Sequence, residues 1–93
     1  MNEQLNLLQD SISNFRVVFL KYKNGIGVIS EREIEPLALF FEQNEWKTVA
    51  FCRLRHETRT FLMTRIYSLD ATEKEFAPNQ FSLEDYFRNN FPQ

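Results

Sequence analysis

The chain has 93 residues, 43% of them hydrophobic, and 11 lysines and arginines against 13 aspartates and glutamates give it a net charge of −2. Those values fit one domain with a single modest core; they exclude a disordered chain, and no apolar run approaches the roughly 18 residues of a membrane span. Cys52 is the only cysteine, which excludes an internal disulfide and points to a reducing compartment; without a basic-then-apolar leader, the cytoplasm is the expected location.

Charge is unevenly spread. Residues 46–66 carry Lys47 and four arginines against Glu57, a balance of +4, whereas residues 67–93 carry Lys74 and Arg88 against five carboxylates, a balance of −3. Segregation of this kind suggests a local anion site, although two differently charged solvated faces would give the same counts.

Leu5, Leu8 and Ile12 recur at helical spacing and predict a helix over residues 3–12, with Asn2 as cap, inside a lead-in of residues 1–14 that lies across an open end of a sheet. Phe15–Lys23 predicts a first strand. It ends at Asn24-Gly25, a dipeptide suited to a tight hairpin turn, and Gly27 marks a bulge or a close backbone approach. The return strand is expected from near Ile26 and carries Glu31, Arg32, Glu33 and Glu35. Pro36 cannot donate to a ladder and should interrupt that strand at an edge or a bend. Leu37–Phe41 resumes an extended run, and Gln43-Asn44-Glu45 makes the next turn.

Trp46 to Ile66 reads as a hairpin of two β-branched and aromatic runs around a polar break at His56-Glu57-Thr58. Tyr67–Phe76 supplies a final short strand. Pro78 separates it from a helix that starts at Phe81, with Ser82 as cap, Asp85 in the capping-box position, and Phe81 and Tyr86 stapled across it. The order is helix, four or five strands, short helix. Such a chain is mainly β: a small, strongly curved sheet or barrel over residues 15–76, closed by a helix at 81–90.

The groups needed for catalysis are missing. His56 is the only histidine and falls in the most exposed-looking turn, without an evident nucleophile and orienting partner. One cysteine and one histidine cannot supply a zinc site, and the two glycines flank Ile26 in a hairpin rather than forming a phosphate loop. No enzyme activity and no cofactor are expected.

The arginines carry the chemistry. Guanidinium groups bind phosphate bidentately and stack on aromatic faces. In unbroken strands Arg53 and Arg55 share a face, as do Arg59 and Arg65. The hairpin register decides whether the two pairs meet. Pairing Phe51 with Phe61 would set Arg53 opposite Arg59, an arrangement that needs an anion between them, whereas a shifted register leaves two solvated pairs. Tyr22 and Trp46 are the natural aromatic partners of such a site, or else packing residues. Arg32 either joins the basic group or pairs with Glu31 or Glu33.

Taken in order, Val18-Phe19-Leu20-Lys21-Tyr22, Arg32-Glu33-Ile34-Glu35-Pro36-Leu37, Trp46 to Arg55, Arg59 to Ile66, Phe76 and Phe81 to Phe87 resemble the WYL domain. This is a module of bacterial transcriptional regulators and some phage-defence proteins, and the similarity runs from about Leu8 to Phe91. The resemblance implies an Sm-like or SH3-like barrel that senses nucleic acid, including single-stranded DNA or RNA, or a nucleotide-like ligand. Carried over by motif, the ligand-binding candidates are Tyr22, Arg32, Trp46, Arg53, Arg55, Arg59 and Arg65. Two positions depart from the family. Trp-Tyr-Leu is here Trp46-Lys47-Thr48, which adds a cation and removes a stacking face. Thr64 replaces an aspartate, which leaves Arg65 without an acidic neighbour. The alternative reading is a protein-interaction module, self-associating as a homodimer or acting as an accessory of a CRISPR effector.

Overall fold

Helix α1 spans Glu3–Asn14 and turns Leu8 and Ser11 into the interior, so the predicted apolar stripe is the face that meets the sheet. The structure, a computed structural model, describes residues 3–78 and 80–90; the expected cap Asn2 and the end of the resemblance at Phe91 lie outside them. The helix stops two residues later than expected, at a left-handed Phe15 (φ 54°) that reverses the chain into the sheet. That conformation is unfavourable for a bulky side chain. Phe15 is tied down by its carbonyl, which accepts from the Phe76 N–H at 2.9 Å, and by its ring, which meets Phe76 edge to face at 5.9 Å.

Five strands follow: β1 Arg16–Lys23, β2 Ile29–Glu42, β3 Glu45–Cys52, β4 Glu57–Leu62 and β5 Ile66–Glu75. They form one antiparallel sheet in the order β4-β3-β2-β1-β5. Mainly β with a helix at each end is the expected class, but the sheet is not closed into a barrel. A single turn of 3-10 helix, Met63–Arg65, connects β4 to β5 and directs β5 onto β1, so the two strands stand at opposite edges.

Two turns differ from expectation. The β1–β2 connection is a five-residue loop rather than a tight Asn24-Gly25 turn, since Lys23 pairs with Ile29. Asn24 organises it: its carboxamide oxygen accepts from the N–H groups of Ile26 and Val28 at 3.0 and 2.9 Å. The left-handed residue is Gly27 (φ 90°), where any other side chain would be strained. By contrast, Gln43 and Asn44 (φ 54° and 66°) form a two-residue hairpin turn close to where one was expected. Pro36 lies in the central strand, not at an edge. The β1 ladder ends at Ile34 and the β3 register shifts between Pro36 and Ala38, so a bulge absorbs its missing donor.

The core on the α1 side of the sheet gathers Leu8, Val18, Leu20, Ile34, Ala50, Cys52, Phe61, Met63 and Ile66. Helix α2, Leu83–Asn90, starts as the sequence predicts: Ser82 Oγ accepts from the Asp85 N–H at 3.2 Å, and the Phe81 and Tyr86 rings meet at 6.0 Å. It docks on the other face, Phe87 against Phe40 at 4.9 Å. No helix among the described residues is long and apolar enough to cross a membrane.

Candidate anion-binding cleft

Residues paired across strands share a face of the sheet, and alternate residues along a strand return to it. The pairs Tyr22↔Ser30, Leu20↔Arg32, Ile34↔Cys52, Ala50↔Arg59 and Thr48↔Phe61 therefore place Tyr22, Arg32 and Arg59 on the α1 side, with the core. Of the two registers left open, the shifted one is found: Phe51 faces Thr58 and Arg59 faces Ala50, not Arg53.

Arg53 is the candidate that the structure places apart from the others. Strand β3 ends at Cys52, so Arg53 and Arg55 sit in the turn 53–56, not on the strand, and His56 closes that turn at φ 55°. One residue beyond an inward-facing cysteine, Arg53 emerges on the other face. There its Nε donates to Glu35 Oε2 at 2.9 Å, and its Nη1 lies 3.9 Å from Glu33. Lys74 Nζ completes this group at 2.6 Å from Glu33. The hydrogen bond from Lys74, reinforced by the charges of Lys74 and Arg53 against some desolvation, holds the Glu33 carboxyl below its usual 4.5. A lowered folded-state value stabilises the fold above the ordinary carboxylate range, and that contribution disappears as pH falls through the lowered value. Denaturant titrations should therefore find a stability gap between wild type and Glu33→Gln at neutral pH that closes as pH falls through the lowered Glu33 value. A gap that widened on acidification would contradict the assignment.

The other arginines converge. Arg32, Arg55, Arg59 and Arg65 line a cleft of about 540 Å³ together with Tyr22, Asn24, Val28, Ser30, Phe61 and Leu62. No carboxylate among the described residues lines it. Arg65 does not continue β4 as an unbroken strand would require; the 3-10 turn carries it to the same place, with Nη1 3.7 Å from where a Cβ on Gly25 would stand. Among the described residues neither Arg55 nor Arg65 takes part in a salt bridge. Arg59 has only Glu57, at 3.3 Å and half in solvent. The Thr64 hydroxyl, where the family usually has an aspartate, donates to Glu45 at 3.1 Å.

Arg32 is the most constrained of the four. Its Nη2 donates to Ser30 Oγ at 2.6 Å, its Nη1 lies 3.7 Å from the Cys52 thiol, and its guanidinium sits 6.0 Å from the Phe61 ring centroid. Its Nε is buried with no hydrogen-bond partner. Neither Glu31 nor Glu33, the alternative partners, points toward it, since both occupy the opposite face by alternation.

The aromatic candidates divide. Tyr22 belongs to the cleft, but its hydroxyl accepts from the Leu62 N–H at 3.0 Å and its ring packs edge to face on Phe61 at 5.1 Å, so it braces the wall. Trp46 lies on the same face in a different cleft, against Phe41. Lys47 adds no charge to the arginine site. It points to the other face, nearly buried, where Nζ meets Gln43 Oε1 at 3.1 Å and Glu42 at 3.6 Å. Asn24 and Ser30 also line the cleft; neither carries a charge or ring that marks it in the sequence, though the two-residue spacing of Ser30 from Arg32 puts both on one face.

A helix laid on a five-stranded antiparallel sheet, with a cleft lined by four arginines on the helix side, defines a small β module. Residues 3–71 match the WYL domain, and the chain belongs to that family. The match ends short of α2. A similar solved structure is proteasome accessory factor B/C (PafBC) of Arthrobacter aurescens, with TM-score 0.75 and 22% identity over 85% of this chain and 13% of that one. That likeness carries the fold, and this chain spans only a small part of PafBC. No curated protein matches it.

Proposed function

We propose that the arginine cleft binds a phosphate-bearing ligand, a nucleic acid strand or a nucleotide-like molecule, and that the module passes its occupancy to the attached domains of a transcriptional regulator. The observation that carries this reading is the set of four guanidinium groups around one cleft without a lining carboxylate. Like charges gathered in this way repel one another, and a bound anion relieves that repulsion while forming charge-assisted hydrogen bonds. Membership of the WYL family supports the regulatory context.

Titration of short single-stranded DNA and RNA at two salt concentrations tests the proposal. Replacing Arg59 and Arg65 together by alanine should weaken binding by about 10- to 100-fold at low salt. It should also make the log–log salt slope about 1.4 shallower, since each lost phosphate contact on a single strand removes about 0.7. No binding at low salt, or wild-type affinity and slope in the double variant, would sink the idea.

A further inference from the structure

Thr64 and Arg65 are neighbours in one 3-10 turn, yet they line different clefts. The second cleft, about 290 Å³, lies across that turn and is formed by Leu5, Phe41, Trp46, Met63, Asn44 and Glu45 beside Thr64. Its chemistry is the reverse of the first. Among the described residues it has no arginine or lysine, and its one charged group, the Glu45 carboxylate, repels phosphate. Two of its rings stand in solvent: Phe41 is 56% and Trp46 40% exposed, held edge to face at 5.5 Å. Glu45 Oε1 accepts from Thr64, and the carboxylate's other oxygen is an acceptor for a further N–H.

We propose that this second cleft is a nucleobase subsite. A strand whose phosphate lies among Arg32, Arg55, Arg59 and Arg65 passes over the 3-10 turn and stacks a neighbouring base on Trp46 and Phe41. The inference rests on the phosphate-binding reading of the arginine cleft and extends it, because it makes the ligand a strand of at least two nucleotides. Because Thr64 and Arg65 are consecutive residues, the two clefts meet at one turn and neighbouring nucleotides of one strand can reach both. Exposed aromatic faces stack bases without demanding sequence. A carboxylate at the rim favours bases with an exocyclic amine, such as cytosine through N4. The arginine cleft supplies no comparable face: Phe61 is 2% exposed and Tyr22 is committed to Leu62.

Trp46 is the only tryptophan, so its emission reports this cleft alone. The test compares a short oligodeoxycytidylate with an abasic sugar–phosphate oligomer of equal length and charge. The expected result is that both bind, that only the base-bearing oligomer quenches Trp46, and that it binds about 5- to 100-fold more tightly, with Trp46→Ala erasing that advantage and leaving the abasic affinity unchanged. Trp46→Phe, which keeps a stacking face, should retain most of it. Equal affinity for both oligomers with unchanged emission overturns the base subsite and leaves the phosphate site standing. Binding of neither overturns the phosphate site and the subsite with it. An emission change that follows protein concentration without any oligomer assigns the cleft to a second copy of the chain and overturns the proposal.

Discussion

Substituting methionine for Arg32 should raise the unfolding free energy by about 1–3 kcal/mol while lowering affinity for a phosphate-bearing strand at least tenfold. The two effects share one cause. Arg32 lies on the core side of the sheet with no carboxylate beside it among the described residues; its neighbours are a serine hydroxyl, a thiol and an aromatic ring, and its Nε has no partner. A buried charged donor left unsatisfied destabilises a fold, and replacing it with an apolar chain of similar length is often neutral or stabilising. The arrangement makes physical sense if an anion completes it, since bound phosphate supplies the negative charge that the chain does not. Urea unfolding with and without oligonucleotide separates the contributions. The free variant should unfold at higher urea than wild type, and added strand should stabilise wild type more than the variant. A methionine variant that is less stable yet binds normally would make Arg32 a structural residue and remove it from the site.

The division of the arginines was only partly legible in the sequence. Alternation along strands identified which side chains share a face once a register was known, and the register was the missing quantity. Pairing Phe51 with Phe61 and a register shifted from it were both compatible with the strand pattern. The pairing is set by where the turn falls, and that turn occupies residues 53–56 because His56 adopts a left-handed conformation that composition does not announce. A shift of this kind reassigns an arginine from one face to the other. It sent Arg53 to Glu33 and Glu35, whereas Arg65 reached the cleft by a route that no strand pattern contains, a 3-10 turn. The helix cap at Ser82, the turn at Gln43-Asn44 and the amphipathic α1 were readable because each depends on neighbours in sequence. The closure of the barrel depends on contact between chain segments far apart, and there the expectation failed.

Phe61→Ala should cost about 3–5 kcal/mol of stability, a large part of the roughly 5–15 kcal/mol that holds a domain of this kind together. Phe61 is 2% exposed, sits opposite Thr48 in the ladder and contributes to both the hydrophobic core and the wall of the arginine cleft. Tyr22 leans on its ring edge to face, and the Tyr22 hydroxyl is in turn bonded to the next residue's N–H. Removing the ring opens a cavity beneath Arg32, which loses its aromatic neighbour and the wall that holds its orientation. Phe61→Leu keeps most of the volume and should cost less than about 1.5 kcal/mol, yet it deletes the same ring face. Leucine should therefore weaken ligand binding out of proportion to its small effect on unfolding, if the ring positions the guanidinium. Because Phe61 and Arg32 are in contact, their substitutions should not be additive: in a double-mutant cycle the binding loss from Arg32→Met should shrink when Phe61 is already leucine, by about 0.5 kcal/mol or more. Strict additivity would mean that the ring serves the core alone and that the cleft holds Arg32 by Ser30 and the backbone.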